Sequence, residues 1–309
     1  MKSRSRLVTL VLIFLPLIVA MVVPVAPRSN AVKSADAKGM ASAILEQWPL
    51  AAENWGIVLV VEGWRADAQE NLGKADFEIS QYAQSISAFE SARNTRELSY
   101  ENLVRLGKAY LQAGRQTDAQ RLWREISLSH PQDFSFLMEI ADRQREIGDL
   151  VGTINTLQEA YRLQPQDVHL NYLLGVHLAV AQPQSAVPYL TFAQRQMPSS
   201  AGILDLAEEL TNTGEEAVYR TLRVGQMLSG LGEWDLAVPC FELVVQTVAD
   251  NAFAWALLGE AKQHVDGSGL AELQKALQLD PHSDSANALM ALYYRRQNKP
   301  ELAVPYLQT

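Results

Sequence analysis

The sequence predicts an all-α solenoid of stacked helix pairs, on three observations. Small residues recur at Gly73, Gly107, Ala141, Gly175, Gly225, Gly259 and Ala291, in steps of 34, 34, 34, 50, 34 and 32 residues. Bulky apolar residues recur at Phe89, Trp123, Leu157, Leu190, Phe241, Leu273 and Leu307, in steps of 34, 34, 33, 51, 32 and 34. Pro131, Pro165, Pro198 and Pro281 punctuate the same period. Two columns that keep one register mark an internal repeat. A proline cannot continue a helix interior, so its recurrence marks where one unit ends. A lone helix pair cannot bury its apolar face, so neighbouring pairs must stack.

The elements follow in order. Residues 1–6 are basic, with Lys2, Arg4 and Arg6, and residues 7–27 carry no charge. As a helix, Leu7–Val25 would extend roughly 28 Å, close to the ~30 Å of a bilayer's hydrocarbon core. Residues 7–27 therefore read as a transmembrane signal anchor. The alternative is a signal peptide cleaved near Ser29-Asn30-Ala31, which would release a secreted binding protein. The excess of positive charge before the span keeps the N-terminus cytoplasmic. The repeats are then on the extracytoplasmic side of the cytoplasmic membrane. Residues 28–39 are rich in Ala, Ser and Lys without hydrophobic periodicity, and read as a linker. Residues 40–65 read as a degenerate leading pair, its helices near Met40–Trp48 and Glu53–Glu62, with Pro49 and Gly63 as breaks.

Units follow at 66–200 (four) and 218–309 (three, the last incomplete). Between them, residues 201–217 hold an additional amphipathic helix and a loop. That odd helix breaks the two-helix alternation. Pro188, Pro239 and Pro305 recur early in the second helix of three units. A proline beyond the first turn costs around 3 kcal/mol, so either those helices start late or each is kinked in the same way.

Trp255-Ala-Leu-Leu-Gly259, then Ala276 and Asp280-Pro281, follows the pattern W-x2-L-G, small residue, Pro at a period of about 34 residues. Unit 100–133 is the most regular, with Leu106, Gly107, Tyr110, Ala119, Trp123 and Pro131. The chain thus resembles the tetratricopeptide-repeat (TPR) proteins over roughly residues 66–309. The resemblance implies a right-handed superhelix whose first helices line a concave groove that binds protein or peptide. Carried over unit by unit, the groove positions are Val104, Lys108 and Leu111, then Met138, Asp142 and Arg145, then Tyr172 and Val176. Leu222 and Gln226 follow, then Ala256, Glu260 and Gln263, then Leu292 and Arg295. The Lys/Asn/Arg clamp by which some TPR domains hold a chaperone's C-terminal carboxylates has no counterpart at Val104, Lys108 and Glu139.

Composition narrows the function. The net charge is −9, and residues 1–38 alone carry +5, so the body is strongly acidic and repels nucleic-acid backbones. Cys240 is the single cysteine and reads as a packing residue. No catalytic, metal or cofactor motif stands out. His169 and His177 lack a Glu between them at zinc-protease spacing and read as exposed or partly buried helical residues. Glu208-Glu209 reads as part of a solvated face. The expectation is a membrane-anchored, non-catalytic TPR scaffold for an unknown protein partner, with no cofactor and no metal. The alternative is the scaffold portion of a membrane-associated enzyme or assembly machine whose catalytic part lies elsewhere.

Overall fold

The computed structural model describes residues 30–129, 132–198, 200–211 and 216–308. Among these residues every regular element is helical. The proposed span at 7–27 lies outside the described residues, and no described helix is long and apolar enough to cross a membrane. The chain divides into two compact units, residues 1–119 and 120–309.

The first unit contains α1 (Asn30–Ile44), α2 (Trp48–Val61), α3 (Ala66–Glu78), α4 (Tyr82–Arg93) and α5 (Tyr100–Gln112). The linker reading is corrected here, because residues 30–39 form the first two-thirds of α1. The segment has a seam of small residues: Val32, Ala35, Gly39 and Ser42, spaced three or four apart, are all buried. Bulk comes from the facing helix. A Cβ at Gly39 would lie 2.9 Å from the Trp55 ring. The leading pair is therefore 30–44 with 48–61, and the break falls at 45–47, where Glu46 has φ +56°. Pro49 does not separate the helices. It sits in the first turn of α2, where no intrahelical N–H bond is lost.

Arg65 ties this pair to α3. Only 3% exposed, it donates to Asp36 at 2.9 Å and to Asp67 at 2.9 Å. In the next pair Phe89 covers Gly73, where a Cβ would lie 2.8 Å from the ring. Ser85 donates to the Gly73 carbonyl at 2.8 Å, which satisfies a hydroxyl at a fully buried position. Glu70 accepts from Asn102 at 2.7 Å and pairs with Arg96. Helix α6 (Gln116–Ser129) begins in the first unit and ends in the second.

The second unit continues with α7 (Phe134–Glu146), α8 (Leu150–Leu163), α9 (Val168–Ala181), α10 (Pro183–Gln196) and α11 (Ala201–Thr211). It ends with α12 (Ala217–Gly230), α13 (Trp234–Thr247), α14 (Ala252–Asp266), α15 (Leu270–Leu279), α16 (Asp284–Arg296) and the short α17 (Pro300–Ala303). Small-over-large packing recurs here. Gly175 sits under Leu190, Gly225 under Phe241 and Gly259 under Leu273, each too close to admit a Cβ without a shift. Polar caps start several helices: Asp133, Asp149, Asp167, Asn251 and Ser283 each accept from a backbone N–H three residues on. Asp149 also receives Arg124 Nε at 3.0 Å.

Two open points resolve. Helices α10 and α13 start at Pro183 and Trp234, so Pro188 and Pro239 both lie inside them, at the sixth position. Pro305 follows a different course: α17 ends at Ala303 and the chain continues as a 3-10 turn over Val304–Leu307. The additional helix is α11, which packs between α10 and α12. With it inserted, α9 touches α13 directly. The first helix α9 thus meets both helices of the following unit, α12 and α13.

Candidate functional site

The carried-over groove positions divide by burial. In the first unit Val104 is buried in the core of α5, and Lys108 and Leu111 are half-buried. In the second, Asp142 and Gln226 are exposed, Met138 and Arg145 half-buried, and Leu292 and Arg295 exposed. Val176, Leu222 and Ala256 are core residues.

Three polar positions serve internal bonds. The Tyr172 hydroxyl donates to Glu233 at 2.7 Å, across from α9 to the start of α13. Burial first, and then the Glu233 carboxylate, push this phenol above its ordinary range. Glu260 receives both guanidinium nitrogens of Arg296, at 2.8 and 2.9 Å, and Gln263 bonds the same guanidinium. His264 lies 3.1 Å from Glu260 and stacks on Trp234 at 3.9 Å between centroids. These groups cross-link α14 to α16 and to α13.

Two concavities in the second unit each hold a polar atom that has no partner among the described residues. A cavity of about 120 Å³ is lined by Arg145, Thr153, His177, Asp235, Leu236 and Pro239, among others. That is room for a few waters at ~30 Å³ each, or for one side chain. His177, read as exposed or partly buried, is 1% exposed. The reason is that α9 is apolar all round, with Leu170, Leu173, Leu174, Val176 and Leu178 all buried. His177 Nδ1 lies 2.7 Å from the Leu173 carbonyl. A carbonyl only accepts, so Nδ1 carries the proton and Nε2 presents a lone pair. Nε2 is buried with no partner among the described residues.

Burial holds His177 down to about 4, helped by the Arg145 charge and opposed by the Leu173 carbonyl and Asp235. The unfolded chain takes up this proton near the ordinary 6.5, and the folded chain only near 4. Stability is therefore lost as pH falls through that window, by about 3 kcal/mol in full. Urea unfolding at pH 7.5 and 4.5 checks it. The wild type should lose about 2–3 kcal/mol more between the two pH values than His177→Gln. Equal losses would show that the ring is hydrated.

The larger concavity, about 510 Å³, opens between α11 and α12. Its size falls in the range of ligand-binding clefts. Asp205, Glu208, Glu209, Arg223 and Met227 line it. The solvated-face reading holds for Glu208 and is corrected for Glu209, which is 5% exposed. Leu206, Ala207 and Leu210 bury their side of α11 and carry Glu209 inward at its flank. One Glu209 oxygen pairs with Arg223 at 2.6 Å, and the other is buried without a partner among the described residues. Three carboxylates against one guanidinium leave the cleft net negative. A cation that donates hydrogen bonds would satisfy the orphan oxygen. Among the described residues no three His, Cys, Asp or Glu side chains converge as a metal site needs.

Cys240 is 3% exposed against Gly225, and burial pushes its thiol up to about 12. That agrees with a packing role.

The tetratricopeptide-repeat family model matches residues 101–133, the unit with the most regular columns. No curated protein matches the chain. Among solved structures, residues 41-end of MamA from Desulfovibrio magneticus RS-1 are similar at 22% identity. The match covers 57% of this chain and 91% of that one, with a TM-score of 0.29. The C-terminal part of a TPR repeat-containing protein from Cytophaga hutchinsonii matches at 14% identity, covering 84% and 99%, with a TM-score of 0.38. PilW, a type IV pilus biogenesis factor, matches at 12% identity, covering 68% and 91%, with a TM-score of 0.29. Such scores say nothing of shared partners.

Proposed function

We propose that this chain is a non-catalytic protein-binding scaffold, held at the cytoplasmic membrane by residues 7–27 with its helical repeats on the outer side. The observation that carries the binding role is the α11–α12 cleft, where a buried Glu209 oxygen stands without a partner beside Asp205 and Glu208. The cleft lies where an extra helix interrupts the repeat, so it is a local feature and not a general property of helix pairs. Its charge suits a basic segment of a partner protein, with Lys or Arg as the inserted side chain. Lys108, Leu111, Met138, Asp142, Arg145, Gln226, Leu292 and Arg295 remain accessible for further contacts. The fully buried carried-over positions serve packing.

The test is a pull-down from native envelope extract with the full chain, wild type against Asp205→Asn/Glu208→Gln. Both side chains are exposed, so the double variant keeps the Glu209–Arg223 pair and the fold. A protein retained by wild type, released by added salt and lost with the variant would support the reading. The same proteins captured by both would place binding elsewhere, and no capture by either would refute a protein-binding scaffold.

A further inference from the structure

Helix α2 is apolar on two sides. Ala51, Trp55 and Val58 face the core of the first helix pair. On the other side Ile57, Val60 and Val61, with Trp64 in the turn that follows, are 47%, 86%, 63% and 69% exposed. A helix hydrophobic all round is ordinarily enclosed, and nothing in the described residues encloses this one. A patch of three aliphatic side chains and an indole at one helix end marks an interaction surface.

We infer that this patch rests in the headgroup region of the same bilayer that residues 7–27 enter. The inference rests on the membrane reading of the previous section. Position argues for it. Arg65, the neighbour of Trp64, is clamped to Asp36 in the first half of α1. From Asp36 back to Asn30 is six helical residues, or about 9 Å. From Asn30 to Pro27, the end of the apolar stretch, is three residues, at most about 11 Å of extended chain. Asp36 therefore lies within about 20 Å of the point where the apolar stretch ends, and the patch begins one ion pair further on, beside Arg65. The chemistry agrees. Trp is the side chain that prefers the membrane–water boundary, and short aliphatic tips reach just below it. Lys33 and Lys38 are exposed, but so are Glu46 and Glu53 in the same helix pair, so charge neither favours nor opposes anionic headgroups. A lipid surface thus accounts for patch and position together.

The experiment uses the full chain reconstituted in phosphatidylethanolamine/phosphatidylglycerol vesicles, with and without lipid brominated high on its acyl chains. The difference in emission between wild type and Trp64→Phe isolates the Trp64 indole. Flotation of the vesicles reports the anchor separately. The expected result is flotation, about twofold quenching of Trp64 by brominated lipid, and protection from aqueous iodide. Val60→Asp should keep flotation and lose the quenching. Flotation with Trp64 open to iodide would overturn this inference and leave the anchor standing. Failure to float would overturn the anchor and, with it, this inference. Protection from iodide without quenching by brominated lipid, together with cross-linked dimers, would show a second copy on the patch and also overturn it.

Discussion

Phe241→Ala lowers the stability of the second unit by about 3–5 kcal/mol, the range for deleting a buried aromatic ring. Phe241 is 1% exposed and lies over Gly225, where a Cβ would come within 2.7 Å of the ring. Flat ring against bare backbone is the closest contact two helices can make. Removing the ring leaves a void that cannot collapse, because Leu236, Ala237, Val244 and Val245 around it are already buried on the same helix. Urea unfolding followed by circular dichroism measures the loss. A change below about 1 kcal/mol would mean that the site relaxes freely. The double variant Gly225→Ala/Phe241→Ala supplies the internal control. The added methyl, costly in wild type, should cost clearly less once the ring is gone, with Cys240 Cβ at 3.0 Å the remaining close neighbour, and that coupling is the signature of direct contact.

Gly269→Ala is the second large effect. Gly269 has φ +104°, and a Cβ there would lie 2.1 Å from the Gly259 carbonyl oxygen. Two costs add. A non-glycine residue at left-handed φ costs about 1–2 kcal/mol. The overlap is with backbone, so α14 and α15 must also separate. The expected loss is about 3 kcal/mol or more. Gly267→Ala separates the two terms: its φ is +79°, but nothing lies within 4 Å of the added carbon. It should cost only about 1–2 kcal/mol, and equal losses at both positions would rule out the backbone overlap.

Much of this architecture is legible in the residues. Gly73 with Phe89, Gly225 with Phe241 and Gly259 with Leu273 stand at recurring spacing because each pair performs the same packing step. The columns therefore report contacts as well as period. The helix at 201–211 is legible for a similar reason: Ile203, Leu206, Ala207 and Leu210 form one stripe. Helix α1 is not, because its buried seam is Ala35, Gly39 and Ser42, and the bulk that fills the seam is Trp55 on another helix. The site is less legible than the fold. His177 and Glu209 are ordinary polar letters in the sequence, and their burial depends on helices distant along the chain. Glu260 and Gln263 hold groove positions by spacing, yet Arg296, more than thirty residues later, draws them into an internal network. Repeat spacing predicts which way a side chain points, and it does not predict what arrives opposite.

The Tyr172–Glu233 bond joins residues 61 positions apart. In an ideal linear array each repeat meets only its neighbours, so its parts can melt one after another. The α9–α13 contact also joins neighbouring repeats, but across the inserted α11, so it closes a longer loop than the 34-residue period would. Forming it requires paying loop-closure entropy before any reward arrives, which slows assembly of this stretch relative to a strictly local array. Once closed, the segment from α9 to α13 opens as one block. Amide exchange across those five helices should therefore share one opening free energy, and Tyr172→Phe should begin to separate them.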